Sequence, residues 1–431
     1  MMETIDGKPF SPEVPERLFR ISQEIQAAGG RSYLVGGFVR DALLGRDCRD
    51  YDVEVYDIAE DALLGILRRY GRPNLVGKAF GVIHLACRGL DLDFSFPRTE
   101  NKIGQGHRGF LVQTHLNLSF AEAALRRDFT INAMGMELPA LTLCDPYHGR
   151  DDLRNGILRH VSPAFSEDSL RILRGVQFAS RFRLRLAPET AALCRSLSLE
   201  DLSCERIYEE FKKWLLKPGE PSLGLKAFCE MDLARFFPEI RGLDGDFNAL
   251  GTFLDAISGR LPDIPEARRP VLAFAALLSG AESKAEVAGV LSRMTNEITL
   301  LRDVPVLWEK ASELLSHFRE NGGAFDAAFL RRLSVPLKGL SLAAEFCRAL
   351  PGTPEKFRME FYDALHKISE DSAIWNAAPE AYLTGKALLE LGLKPGKRMG
   401  ELIRMSFELQ LDGKITNEKD AVTWAASQIK N

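Results

Sequence analysis

Arg31-Ser-Tyr-Leu-Val-Gly-Gly-Phe-Val-Arg-Asp41 runs on into Asp50-Tyr-Asp52. An apolar run, a glycine pair, a helix start carrying a cation and two alternating carboxylates therefore follow one another closely. Ser32 to Val35 reads as a short buried strand. Gly36-Gly37 lets the chain turn tightly and expose amide N–H groups at the start of a helix predicted over Phe38 to Leu44, a place that suits a phosphate. In a strand over Tyr51 to Val55, Asp50 and Asp52 point to one face, where two hard oxygen ligands can hold Mg²⁺ beside that phosphate. The order fits nucleotide chemistry, with Gly36, Gly37 and Arg40 holding the triphosphate.

Leu34-Val-Gly-Gly-Phe-Val-Arg-Asp-Ala-Leu-Leu-Gly45, followed by Asp50-Tyr-Asp52, resembles the class II tRNA nucleotidyltransferases, or CCA-adding enzymes, and their relatives the bacterial poly(A) polymerases. A third carboxylate would complete the acidic site. Asp93, in Leu90-Asp-Leu-Asp-Phe-Ser95, has two rivals: Asp91 shares its face by strand alternation, and Glu54 shares the face of Asp50 and Asp52. The family's acidic strand, with its carboxylate five residues before an arginine, favours Asp93 before Arg98. The glycine-rich, polar stretch from Pro97 to Phe110 reads as a mobile loop over the cleft, where the family has its flexible loop.

Leu125-Arg-Arg-Asp-Phe-Thr-Ile-Asn-Ala-Met134 resembles the ribose-binding motif. Asp128 and Asn132, four apart, are expected on one helical face, offering groups for ribose hydroxyls. Glu167-Asp-Ser-Leu-Arg171 matches the family's Glu-Asp-x-x-Arg motif, said there to replace a nucleic-acid template. Asp168 accepting from an exocyclic amine and Arg171 donating to a ring acceptor would take cytosine and adenine and reject uracil and guanine. Arg127 and Arg174 join the expected nucleotide contacts. Gln177 stands where the family often has arginine. Leu202 to Phe211 resembles the neck motif that braces this helix.

The chain has 431 residues, too many for one ordinary core. We read an α+β protein in which a small mixed-sheet nucleotidyltransferase head precedes an elongated all-helical neck, body and tail. The expected domains are 1–160 (head: catalytic, metal and triphosphate site), 161–216 (neck: base selection), 217–355 (body) and 356–431 (tail: tRNA contact). Relatives with an added phosphohydrolase domain need a His-Asp pair, and no histidine here precedes aspartate; Ser279-Gly280 stands in its place, so the body is read as degenerate and without that metal site. No long apolar run suggests a membrane span or signal core, and seven scattered cysteines argue for reduced thiols and a cytoplasmic protein. A net charge of −4 gives no global nucleic-acid signal. Local basic groups matter more: Arg126-Arg127; Arg171, Arg174, Arg181 and Arg183; Lys212-Lys213; and Lys394, Lys397, Arg398 and Arg404.

The resemblance, strongest over residues 31–211 and 383–424, implies Mg²⁺-dependent, template-independent addition of CMP and AMP, from CTP and ATP, to the 3′ end of tRNA. Neither DNA nor a membrane is an expected partner. A poly(A) polymerase, a CC-adding or A-adding enzyme and an inactive RNA-binding relative are the alternatives. Leu75 to Phe80 partly resembles the poly(A) polymerase signature but has Ala79 where a second basic residue is expected.

Overall fold

The computed structural model describes residues 4–5, 8–9, 14–76, 82–87, 89–102, 110–114 and 118–430. Two compact units divide at Phe236 and Phe237. That boundary lies inside the stretch read above as the body.

In the first unit, helix α1 (Glu16–Ala27) buries Leu18, Ile21, Ser22 and Ile25, a three- and four-residue spacing that lays one face on the sheet. The head continues with β1 (Arg31–Val35), α2 (Gly37–Leu43), β2 (Tyr51–Tyr56), α3 (Glu60–Leu67), β3 (Arg72–Val76), β4 (Val82–Cys87) and β5 (Leu90–Ser95). After α4 (Phe120–Ala124) come β6 (Gly135–Leu138), β7 (Thr142–Cys144) and α5 (Gly149–Arg154). The seven strands form one mixed sheet in the order β7-β6-β1-β2-β5-β4-β3, in which β2 and β5 run parallel and the other neighbours antiparallel. β3, β6 and β7 are not among the strands expected from sequence: β3 contains Pro73, and β6 and β7 are only four and three residues long. Within the predicted mobile loop, Arg98–Lys102 pairs antiparallel with Phe110–Thr114, so part of it is β-hairpin; residues 103–109 lie outside the described residues.

Beyond the head the first unit is helical, apart from the two-residue pairing of Ile157–Leu158 with Arg185–Leu186. Its helices are α6 (Leu170–Phe182), α7 (Pro188–Arg195), α8 (Cys204–Leu216) and α9 (Pro221–Glu230), with α8 and α9 both packed on α6. The second unit is helical among its described residues. Arg269–Leu277 is its most apolar helix, buried from Val271 to Leu277. At Gly280, just beyond it, an added Cβ would lie 2.4 Å from the Arg241 carbonyl oxygen, so a packing constraint accounts for that glycine. Toward the C-terminus, Leu383, Leu388, Leu402, Ile415, Ala421 and Ala425 form a small separate core. The Pro395-Gly396 turn stands at the start of the helix Lys397–Leu411 and leaves Lys394, Lys397 and Arg398 exposed.

One close approach ties the fold to the site. An added Cβ on Gly149, the first residue of α5, would lie 2.1 Å from the Thr130 carbonyl oxygen, a backbone atom that cannot step aside. Gly149→Ala is therefore expected to cost about 2 kcal/mol of stability, read as a lower denaturation midpoint with an unchanged slope.

Candidate active site

The strand register assembles the carboxylates. In the parallel pair β2·β5, Asp52 stands opposite Asp93, and in the antiparallel pair β4·β5, Asp93 stands opposite His84. Asp52, Asp93 and His84 thus form one row across three strands, on one face. Asp50 is the residue just before β2, on the same side as Asp52. Burial, then the charges of Asp50 and Asp93, push the Asp52 carboxyl up to about 6, against a smaller pull down from Arg127. Asp93 is fixed differently: its Oδ1 lies 2.8 Å from His84 Nδ1.

Glu54, two residues farther along β2, has another fate. It is 1% exposed and accepts hydrogen bonds from the Tyr56 hydroxyl at 2.8 Å and Arg126 Nη2 at 3.0 Å, with Arg127 Nη2 at 3.4 Å. Burial alone would push the Glu54 carboxyl up, but Arg127, Arg126 and Tyr56 together hold it below its ordinary range. An acid already matched by two guanidinium groups has little left for a cation. Glu54 is therefore an arginine anchor, a part that strand alternation could not separate from that of a metal ligand.

The anchored arginines meet the glycine turn. Gly36 has φ +66°, the left-handed region that favours glycine, and its Cβ position lies 3.6 Å from Arg127 Nη1. The Cβ position of Gly37 lies 3.5 Å from Arg40 Nη2. Two guanidinium groups thus flank the start of α2, which begins at Gly37, one residue before its expected start. Arg40 is buried over the Phe182 ring at 4.1 Å and donates to Asp41.

Arg40 also opens a chain of buried bonds. Its Nη1 donates to Asn132 Oδ1 at 2.6 Å, Asn132 Nδ2 donates to Asp128 Oδ1 at 2.9 Å, and Arg174 Nε donates to Asp128 Oδ2 at 2.6 Å. Burial would raise the Asp128 carboxyl, yet Arg174, Asn132 and the Phe129 amide hold it below the usual carboxylate range. Asp128 and Asn132 do meet, but not on a helical face as their spacing suggested. Phe129 is extended, and a single 3₁₀ turn, Thr130–Asn132, brings the two side chains together. Thr130 is clamped from α5 by its bond to Asp152 at 2.8 Å.

The Arg171 amide donates to the Asp168 carbonyl oxygen at 3.0 Å, but the two side chains take different partners. Asp168 is extended and precedes α6, which begins at Leu170, so their relation is not the helical one expected. Arg206, on α8, donates to both Asp168 oxygens, at 3.1 and 2.9 Å. Arg171 donates to the carbonyl oxygens of Ala164 and Arg126, at 2.8 and 2.6 Å. Arg206 was read only as part of a bracing motif; no local spacing reveals a partner 38 residues away. Gln177 is buried and accepts from Arg181 at 3.4 Å, so it faces the protein rather than a ligand. Among the described residues, no three His, Cys, Asp or Glu side chains converge as a complete metal cage.

Residues 32–159 match the family described as the poly A polymerase head domain, and residues 183–243 the family described as the probable RNA and SrmB-binding site of polymerase A. The multifunctional CCA protein of Chromobacterium violaceum is 42% identical over 220 residues, 49% of this chain and 51% of that protein. That of Azoarcus sp. is 40% identical over 222 residues, 50% of this chain and 52% of that protein. The chain thus spans about half the length of the curated relatives it matches. Among solved structures, a CCA-adding enzyme in complex with CTP aligns with a TM-score of 0.70 at 23% identity over 97% of both chains. The Thermotoga maritima CCA-adding enzyme complexed with tRNA aligns with a TM-score of 0.66 at 23% identity, over 97% of this chain and 96% of that one. At that identity the structural likeness concerns the fold. Residues 32–159 are thus similar to the poly A polymerase head domain and residues 183–243 to the probable RNA-binding segment of polymerase A.

Proposed function

We propose that this chain adds CMP and AMP, from CTP and ATP, to the 3′ end of tRNA without a nucleic-acid template, as a cytoplasmic enzyme. The observation that carries the reading is the placement of Asp52 against Asp93, with Asp50 alongside, in a head whose glycine turn is flanked by Arg40 and Arg127. The identity to multifunctional CCA proteins supports the same reading. The helix Lys397–Leu411 and the segment just before it, which would bind the remainder of tRNA, carry the exposed cations Lys394, Lys397, Arg398 and Arg404.

The donor chemistry fits Mg²⁺. Asp50 and Asp52 offer oxygens only, and the Asp52 acid, raised first by burial and then by the charges of Asp50 and Asp93, is one that a hard cation would relieve. A few carboxylates rather than a full cage would suit an ion that keeps water and takes the rest of its ligands from substrate phosphates. When bound, Mg²⁺ supplies Lewis acidity that lowers the pKa of the attacking hydroxyl and offsets charge on the leaving pyrophosphate. Gly36, Gly37, Arg40 and Arg127 would hold the triphosphate, and Asp128 and Asn132 would meet the ribose once a hydroxyl replaces one of their present bonds. The terminal 3′ oxygen attacks the α-phosphorus in line, a new phosphodiester forms, the bond to the β-phosphate oxygen breaks, and the hydroxyl proton leaves through the carboxylate group. Asp93 would be the third carboxylate. Asp168, steadied by Arg206, would accept from the exocyclic amine of cytosine or adenine while Arg171 donates to the ring.

Poly(A) synthesis is the second reading, favoured by the description of the matched head family. Gly77 to Phe80, within the signature that would bear on it, lie outside the described residues.

Asp52→Asn is expected to abolish nucleotide addition while raising the melting temperature of the metal-free protein at pH 7.5. The sign follows from the raised acid: the folded state holds the Asp52 proton up to about 6, so the charged carboxylate costs stability as pH climbs through that value. Below pH 4 the gain should vanish, and an equal shift at both pH values would refute the raised Asp52 acid. Glu54→Gln should instead lower the melting temperature, because it leaves two arginines without their anion, and should not change the Mg²⁺ concentration giving half-maximal rate.

Arg171→Ala is expected to reduce the preference for CTP over UTP by about 100-fold or more, measured as the ratio of kcat/KM values on tRNA lacking its CCA end. An unchanged ratio would make the residue structural. On the same tRNA, CTP and ATP together should add three nucleotides and stop. A long adenosine ladder would mark the poly(A) reading, and a halt after two cytidines a CC-adding enzyme.

A further inference from the structure

His84 is the one imidazole in the carboxylate row, and the proposed chemistry leaves it without a part. It stands on β4 directly opposite Asp93, which in turn stands opposite Asp52. Its Nδ1 lies 2.8 Å from Asp93 Oδ1, and its Nε2 lies 3.6 Å from Asp91 Oδ1. A carboxylate only accepts, so the proton of the shorter contact sits on Nδ1 and fixes the ring's orientation. The side chains of His84 and Asp93 are 34% and 43% exposed. A half-exposed aspartate on a strand otherwise rotates freely about its terminal bond, and a charge-assisted bond to a ring held on the neighbouring strand stops that rotation.

We propose that His84 is a positioning residue for the metal site: by holding Oδ1, it presents Oδ2 of Asp93 to the cation shared with Asp50 and Asp52. The inference rests on the metal reading given above. It also bears on the choice between Asp93 and Asp91. The ring reaches both, but makes a hydrogen bond of normal length only to Asp93, so β4 preorganises one carboxylate of the pair and leaves the other, 79% exposed, as a surface charge. Groups that orient a metal ligand through a hydrogen bond govern metal affinity by about 10- to 100-fold without touching the ion.

The test is direct Mn²⁺ binding to the full chain, followed by the electron paramagnetic resonance signal of the free ion, with Mn²⁺ standing in for Mg²⁺. His84→Leu should weaken binding about 10-fold. His84→Asn, whose Nδ2 can take the place of Nδ1, should restore most of it. In an Asp93→Ala background, His84→Leu should cost nothing further, which a general loss of folding would not produce. Mn²⁺ binding that is lost in Asp52→Asn but unchanged in His84→Leu would overturn the role of His84 and leave the metal reading standing. Absence of Asp52-dependent Mn²⁺ binding in the unaltered protein would overturn both.

Discussion

The carboxylate of Asp128 is buried in the middle of a protein, and the joining of the head to its first helices follows from how that charge is satisfied. A buried carboxylate left unpaired costs several kcal/mol, more than most single contacts return. Here three elements converge to meet it: α6 brings Arg174, the 3₁₀ turn brings Asn132, and the adjoining Phe129 amide supplies a further donor. Asn132 passes the constraint on to Arg40 of α2, whose guanidinium packs over Phe182, near the end of α6. The circuit leaves from α6 and returns to it. Displacing either end of that helix breaks a charged hydrogen bond or uncovers a buried cation, so the glycine turn, the segment from Asp128 to Asn132 and helix α6 are held in one rigid frame.

Much of this site could be read locally. The glycine pair, the Asp50/Asp52 alternation and the acidic strand bearing Asp93 depend on strand periodicity and turn chemistry, which a short window of sequence carries. Partners distant along the chain could not be read. Glu54 and Asp52 occupy equivalent positions on β2, and only the arrival of Arg126 and Arg127 from more than 70 residues away makes one an ion-pair hub and leaves the other in a crowd of like charge. The same holds for Arg206 with Asp168. Two local expectations also failed for a physical reason. The spacings Asp128/Asn132 and Asp168/Arg171 suggested helical faces, but Phe129 and Asp168 are extended, so each pair begins before its helix or turn, where the aspartate side chain satisfies a backbone donor.

The edge strands β3 and β7 were hidden because their described side chains are exposed or half-exposed, with no buried face to impose a two-residue period. β4 and β5 carry that period in their burial, and β2 in its sequence. The four strands that build the site, β1, β2, β5 and β4, are also successive neighbours in the sheet, so the legible strands and the chemistry coincide.

Along one strand the head sets a satisfied acid beside a frustrated one. Glu54 spends its charge on order, drawing in two arginines that in turn flank the glycine turn. Asp52 is left buried beside Asp50 and Asp93, and burial first, then those two charges, raise its acid. Stability would be better served by a neutral residue at that position. In the proposed chemistry the countercharge would be a divalent cation, which can bridge carboxylates and a polyphosphate. The local strain and the proposed chemistry are thus the same fact: the energy withheld from the fold at Asp52 is available to bind metal and nucleotide together.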